Sequence, residues 1–358
     1  MVQPTKAKER LTRHYLELAR IVGENQDFQT LDQDWYQVQV MVEYSRRRDD
    51  EIGVVLFSGL TIALSDYWNA RGMYSDEVKW YLQARNACMV ANRPKDEGIH
   101  LRNLGRAYRE LGQIKQAMEL YNHALAIAQE VGDRQGECIC LSRLGLVQRD
   151  LGHYALQSFE EALAIAREIG DRFNEGNCLG HLGDTYREME ENIRAIEYHE
   201  QALVIAREIG NRRGENAALT SLGLAYAALG QSSKAISFYS QALIISREIG
   251  HRQGESAQLG NIGSAYRDMG LMETAIEYHK QALAISRQIG HRQHEASDLY
   301  NLGSACADLG EVDEARQYLQ ESLTIFEETG SSNVDLVRYI LDSLPPNPYA
   351  VRRPRRTR

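Results

Sequence analysis

Cysteine is scarce and unpatterned in this 358-residue chain: five residues, an odd number, with no Cys-x-x-Cys pair. Cys138 and Cys140 stand one residue apart, too tight for a normal zinc knuckle and awkward for a disulfide. This pattern points to reduced thiols filling helix interfaces in a cytoplasmic protein. The absence of any Asn-x-Ser/Thr acceptor agrees with that compartment. Six prolines and 28 glycines exclude a Pro/Gly-rich low-complexity chain. The longest mostly apolar stretch, Ile52 to Leu64, is 13 residues and holds Gly, Ser and Thr. A membrane span needs about 20 apolar residues, so none is expected. The first six residues, Met1 to Lys6, lead into charge with no apolar h-region, so no secretory signal is expected either.

Motifs for chemistry are missing too. No lysine follows a glycine, which removes the phosphate-binding loop, and neither Gly-x-Gly-x-x-Gly nor Gly-x-Ser-x-Gly occurs. His294-Glu295 is followed by Ala, Ser and Asp298, so a zinc-protease helix fails at its second histidine. His199 and His279 hold equivalent positions 80 residues apart, which places them on separate hairpins rather than around one ion. No enzyme activity, cofactor or metal is expected. What the chain has is 43% apolar and 25% charged residues with a net charge of −9, the composition of a folded, water-exposed protein.

Self-similarity organises the rest. Leu104-Gly105 recurs as Leu144-Gly145, Leu182-Gly183, Leu222-Gly223, Ile262-Gly263 and Leu302-Gly303, with glycine spacings of 40, 38, 40, 40 and 40. Tyr108, Tyr186, Tyr226 and Tyr266 follow three residues later in four of the six units. Gly132/Arg134/Glu137 begins a second series that runs to Gly290/Arg292/Glu295. Each unit reads as two helices. In Glu255–Gly270 the apolar face is Leu259, Ile262, Tyr266 and Met269; Ala275, Tyr278, Ala282, Leu283 and Ile289 form the second. Glycine then ends each helix. The unit after Gly152 is two residues short, so its second helix should begin late.

The set Leu104-Gly105-x-x-Tyr108…Ala117…Tyr121…Ala124-Leu125 resembles the tetratricopeptide repeat family. About 34 residues per repeat is usual there. The 40-residue form, with its Gly-Asp-Arg-x-Gly-Glu junction, is similar to repeats of Partner-of-Inscuteable-type scaffolds and bacterial sensor proteins. The expected fold is all-α, a right-handed α-solenoid of antiparallel helix pairs. The expected divisions are 1–50, an N-terminal helical segment; 51–92, a degenerate hairpin; 93–330, six repeats; 331–344, a capping helix carrying Val334, Leu336, Val337, Ile340 and Leu341; and 345–358, a disordered Pro/Arg-rich tail. In the N-terminal segment Arg10–Gly23 and Leu31–Arg48 read as helices, with Trp35, Val38, Val42 and Tyr44 packing. The segments His14–Leu18 and Leu31–Trp35 are similar to the joint between ATPase module and helical sensor in STAND-class signalling ATPases, here without a motor.

Stacked hairpins curve and leave a concave wall lined by first helices. A helical wheel puts Leu101, Leu104, Tyr108 and Leu111 on the core side; the arc at roughly 140° to 260° holds Arg102, Asn103, Arg106 and Arg109. The resemblance implies that these offsets line a groove. Carried through the repeats they add Arg143, Arg149, Arg187, Asn261, Arg267 and Asn301. Arginine takes carboxylates bidentately, and asparagine can bond a peptide backbone. The expected function is a scaffold holding another protein or peptide by an acidic or carboxylate-bearing segment. A STAND-type ligand-sensing region and a peptide-pheromone receptor remain the alternatives. Arginines near the end of a helix also suit its dipole, and Arg134, Arg172, Arg212, Arg252 and Arg292 should pair with carboxylates at repeat junctions. No membrane contact is expected, and the acidic body argues against nucleic acid despite five arginines in Val351–Arg358.

Overall fold

The computed structural model describes residues 4–25, 28–48 and 50–345. The basic tail, with Pro346 and Pro348, lies outside the described residues. Two compact units divide the chain between Cys178 and Leu179.

In the first unit, helices run as α1 (Pro4–Asn25), α2 (Gln29–Arg46), α3 (Glu51–Ala63), α4 (Ser65–Ala70), α5 (Tyr74–Val90), α6 (Pro94–Glu110), α7 (Ile114–Glu130), α8 (Arg134–Asp150) and α9 (Leu156–Glu168). The boundary falls within α10 (Arg172–Glu188). The second unit continues with α11 (Asn192–Glu208), α12 (Arg212–Ala228), α13 (Ser232–Glu248), α14 (Arg252–Asp268), α15 (Met272–Ile289), α16 (Arg292–Leu309), α17 (Val312–Thr329) and α18 (Val334–Ser343). The fold is all-α, and from α5 to α9 and again from α11 to α17 each helix packs on the next.

The repeat landmarks explain that packing. An ideal Cβ on Gly183 would lie 2.6 Å from the His199 ring, and one on Gly303 would lie 2.8 Å from Leu319. The Leu-Gly pair therefore lets the second helix of each hairpin press its large residue against bare backbone. Ala117, Ala235, Ala275 and Ala315, all fully buried, serve the same close approach. Stacked ring pairs recur at the 40-residue interval: Tyr186–Tyr198, Tyr226–Phe238 and Tyr266–Tyr278, with centroids 5.2, 5.3 and 5.4 Å apart.

Helices end where glycine reverses the chain, as at Gly270 with φ 77°. The residue just before that glycine lies past the last packed turn. Leu111, Met269 and Ile289 are accordingly 40%, 44% and 37% exposed, not core residues as the periodicity suggested. Helix α9 starts at Leu156 and has 13 residues against 17 in α7 and α11, which absorbs the two-residue deletion at the hairpin turn.

In the N-terminal helices Val38 and Val42 are buried, while Trp35 stands 4.8 Å from the Tyr67 ring and Tyr44 stays half-buried beside Lys8 and Arg48. Helix α18 buries Val337 against the last hairpin, with Val334, Ile340 and Leu341 partly covered. Leu336, expected on that apolar face, points away and is 47% exposed. All five cysteines are free and buried.

Candidate binding face and its electrostatics

Arginine occupies two separate settings in this fold. At the junctions it clamps a buried glutamate. Arg207 Nε donates to Glu215 Oε1 at 2.8 Å, and Arg212 donates to Oε2 at 2.5 Å; Arg167 and Arg172 hold Glu175 in the same way, at 2.9 and 2.6 Å. Arg247 with Arg252 and Arg287 with Arg292 repeat the clamp on Glu255 and Glu295. Arg134 pairs with Glu137 and Glu168. Burial pushes the Glu215 carboxyl upward, but the two guanidinium hydrogen bonds outweigh it and leave its pKa below the usual value.

The second set sits on the first helices of the hairpins. All ten candidate groove residues are half-buried. On α6, Arg102 lies 3.9 Å from Asp133, and Asn103 donates to the Tyr81 hydroxyl at 3.2 Å. Arg106 is committed inward: it pairs with Glu77, a fully buried carboxylate, and donates to the Ser65 hydroxyl at 3.1 Å. Burial dominates Glu77 and raises its pKa to about 7 even with Arg106 beside it. Arg109 pairs with Asp150 of the next repeat, and Arg267 approaches Asp308 to 3.8 Å in the same relation. Arg149 lies at the end of α8, Arg187 near that of α10 with its buried Nε lacking a hydrogen-bond partner among the described residues, and Asn261 and Asn301 line one small cavity.

Arg143 on α8 differs. Among the described residues it makes no hydrogen bond and no ion pair; its electrostatic neighbours are Tyr121, Arg106, Arg109 and Glu110. Burial first, then the two like charges, pulls its pKa below the ordinary arginine value. The Tyr121 hydroxyl is fully buried and has no hydrogen-bond partner among the described residues. A half-buried guanidinium with no hydrogen bond or ion pair is a group that an anionic partner could complete.

Sequence reasoning found the arginine register but missed the inward partner of Arg106. It also missed Asp298, whose register holds Ala218 and Gln258 in the preceding repeats. That break in the pattern was the available signal. His199 and His279 are buried ring fillers facing Gly183 and Gly263, with pKa values brought down to about 4 by burial. No group of three or more potential metal-ligating side chains gathers among the described residues, and no described helix is long and apolar enough to cross a membrane.

Hairpins of this kind, packed in series, define a helical-repeat protein. The chain belongs to the tetratricopeptide repeat family, whose family model matches residues 96–168, 155–208, 179–248 and 255–328, more than half of its length. No curated protein sequence matches it. Among solved structures it is similar to a STAND protein with a tetratricopeptide repeat sensor from Pyrococcus horikoshii, at 18% identity and a TM-score of 0.65. That match covers 95% of this chain but 53% of the other, so the chain spans about half of the STAND protein's length. It is also similar to apo RapI, at 15% identity and a TM-score of 0.61 over 76% of this chain and 98% of that one. A Rap protein complexed with Competence and Sporulation Factor matches at 14% identity and 0.59, over 95% and 98%. Identities this low establish a shared fold.

Proposed function

We propose that the protein is a non-catalytic, cytoplasmic scaffold that holds a protein or peptide through a carboxylate-bearing segment laid on its first-helix face. In the first unit the register runs through Arg102, Asn103, Arg106, Arg109, Arg143 and Arg149, with Arg106 held inward by Glu77 as its support rather than a contact; Arg187, Asn261, Arg267 and Asn301 are its counterparts in the second. The observation that carries the reading is Arg143. Its neighbours Arg106 and Arg109 are occupied by Glu77 and Asp150, while Arg143 itself makes no hydrogen bond or ion pair among the described residues and has Glu110 only as a more distant electrostatic neighbour. A half-buried cation without a partner costs stability, and an arriving carboxylate would recover that cost as affinity on a preformed surface.

The test is affinity capture with the full chain, followed by measuring the captured segment as a synthetic peptide in carboxylate and amide forms. The carboxylate form should bind wild type and lose at least about tenfold with Arg143→Glu. Equal binding of both forms, or full binding by the variant, would remove the assignment.

A second reading, a peptide-sensing region in a signalling protein, draws support from the fold shared over 95% of this chain with the STAND sensor protein and the Rap complex. Solution scattering separates the two: compaction on adding peptide favours sensing, and an unchanged profile favours the rigid scaffold.

A further inference from the structure

The second unit contains a buried carboxylate with no cation beside it. Asp298 on α16 is 6% exposed and forms no ion pair among the described residues. Its Oδ2 accepts from the Ser286 hydroxyl at 2.6 Å and lies 3.3 Å from that of Ser256. Asp298 also lines a cavity of about 200 Å³ whose walls include Ser256, Gly260, Asn261, His294, Ser297 and Asn301, and its other oxygen, Oδ1, lies on the Gly260 side. A Cβ on Gly260 would stand in ordinary van der Waals contact with Oδ1, at 3.5 Å, and would take up space beside it.

The fold itself does not require this charge. The equivalent register carries Ala218 on α12 and Gln258 on α14, and the hairpins around them pack in the same way. A buried carboxylate held by two hydroxyls alone is costly, and burial raises its pKa to about 6. Every polar group named around the cavity can accept a hydrogen bond. Ser297 already donates its own proton to the Gln293 carbonyl at 3.1 Å, leaving its lone pairs free. Asn261 and Asn301 each carry a carboxamide oxygen that can accept, and the His294 ring, its pKa lowered mainly by burial, has a nitrogen lone pair.

We propose that this cavity is a binding site for an organic cation, an ammonium or guanidinium group carried by a ligand, with Asp298 as its counter-ion. An ammonium brings three donors and no acceptor, which matches one carboxylate oxygen surrounded by neutral acceptors. The volume is below the roughly 300 Å³ at which pockets begin to hold whole small molecules, so it suits one side chain or one chain end. The site is separate from the Arg143 cluster and has the opposite charge preference.

Four probes test this with the full chain, by NMR titration of the Asn261 and Asn301 side-chain amides at neutral pH: N-acetyl-lysine amide, N-acetyl-arginine amide, glycine amide and the uncharged N-acetyl-norleucine amide. At least one cationic probe should give saturable shifts, and the identity of the strongest separates side-chain ammonium, guanidinium and terminal amine. Asp298→Asn should weaken that binding about tenfold or more while leaving thermal stability unchanged or raised. Gly260→Ala, which narrows the cavity, should weaken it as well. Arg143→Glu should leave it unchanged, so failure here and failure of the first-helix assignment are distinguishable. Absence of saturable binding, equal binding of the norleucine probe, or undiminished binding by Asp298→Asn would overturn the proposal.

Discussion

Gly105 and Tyr121 meet face to backbone: a Cβ placed on Gly105 would lie 2.8 Å from the Tyr121 ring. Tyr121 is fully buried, and the adjoining cluster of Ala117, Leu144 and Val147 leaves little room for the ring to retreat. Gly105→Ala should therefore destabilise the first unit by about 1–3 kcal/mol through overpacking. Gly180→Ala, in the middle of α10 with nothing within 4 Å of its Cβ, should stabilise by about 0.5–1 kcal/mol through helix propensity. Urea denaturation of the two variants checks both signs at once.

Glu190 follows α10 where other hairpins have glycine, and it holds a left-handed backbone with φ 62°. Its amide still closes the turn on the Arg187 carbonyl at 3.0 Å. A Cβ in that region costs about 1–2 kcal/mol, partly offset by the lower entropy of a non-glycine unfolded chain. Glu190→Gly should raise stability by about 1 kcal/mol, read as an upward shift of the thermal midpoint. A lowered midpoint would show that the Glu190 side chain stabilises this turn.

The fold was legible because each repeat states its rule six times. Leu-Gly, the small alanines and the C-terminal glycines are local signals of close packing and chain reversal, and they need no tertiary context. The candidate site was only half legible. The register of Arg102, Arg106, Arg109 and Arg143 follows from 3.6-residue periodicity, but which of them is already neutralised depends on residues far away in sequence. Arg106 is consumed by Glu77, 29 residues earlier, and Arg109 by Asp150, 41 residues later. A wheel drawn on one helix contains neither partner. The exposed Leu111 and Leu336 show the same limit: periodicity gives a direction, and only the neighbouring helix decides whether anything covers it.

His100, His199 and His279 are buried and neutral, with pKa values near 4 against the ordinary 6.5. As pH falls from about 6.5 to 4 the unfolded chain takes up protons that the folded protein refuses, so stability declines across that window, by up to about 3 kcal/mol per histidine. Glu77 and Asp298, with pKa values raised by burial to about 7 and about 6, act oppositely and gain stability as pH falls. Comparing a variant with wild type cancels those carboxylates. Tyr239 fills the slot of His279 one repeat earlier, so His279→Tyr should keep the packing and move acid unfolding to lower pH. An unchanged acid midpoint would exclude His279 as a source of acid sensitivity.

Arg106 and Arg143 should behave oppositely when neutralised, and that contrast separates scaffold from surface. Arg106→Gln strands Glu77, which is fully buried, and removal of one partner from a buried pair costs about 3–5 kcal/mol at most. Glu77 can escape part of that by taking a proton. Its folded pKa, already about 7 because of burial, rises further without Arg106, so the loss should grow as pH increases above neutrality and shrink toward pH 5. Arg143→Gln removes a half-buried cation that has no hydrogen bond or ion pair among the described residues and whose burial and like-charged neighbours Arg106 and Arg109 outweigh the attraction of Tyr121 and Glu110. It should leave stability unchanged or raise it by about 1 kcal/mol at any pH between 5 and 9. Chemical denaturation of both variants at those two pH values provides the measurement. A large, pH-independent loss for Arg143→Gln would mean that its guanidinium supports the fold, and the case for a free binding cation on α8 would fall with it.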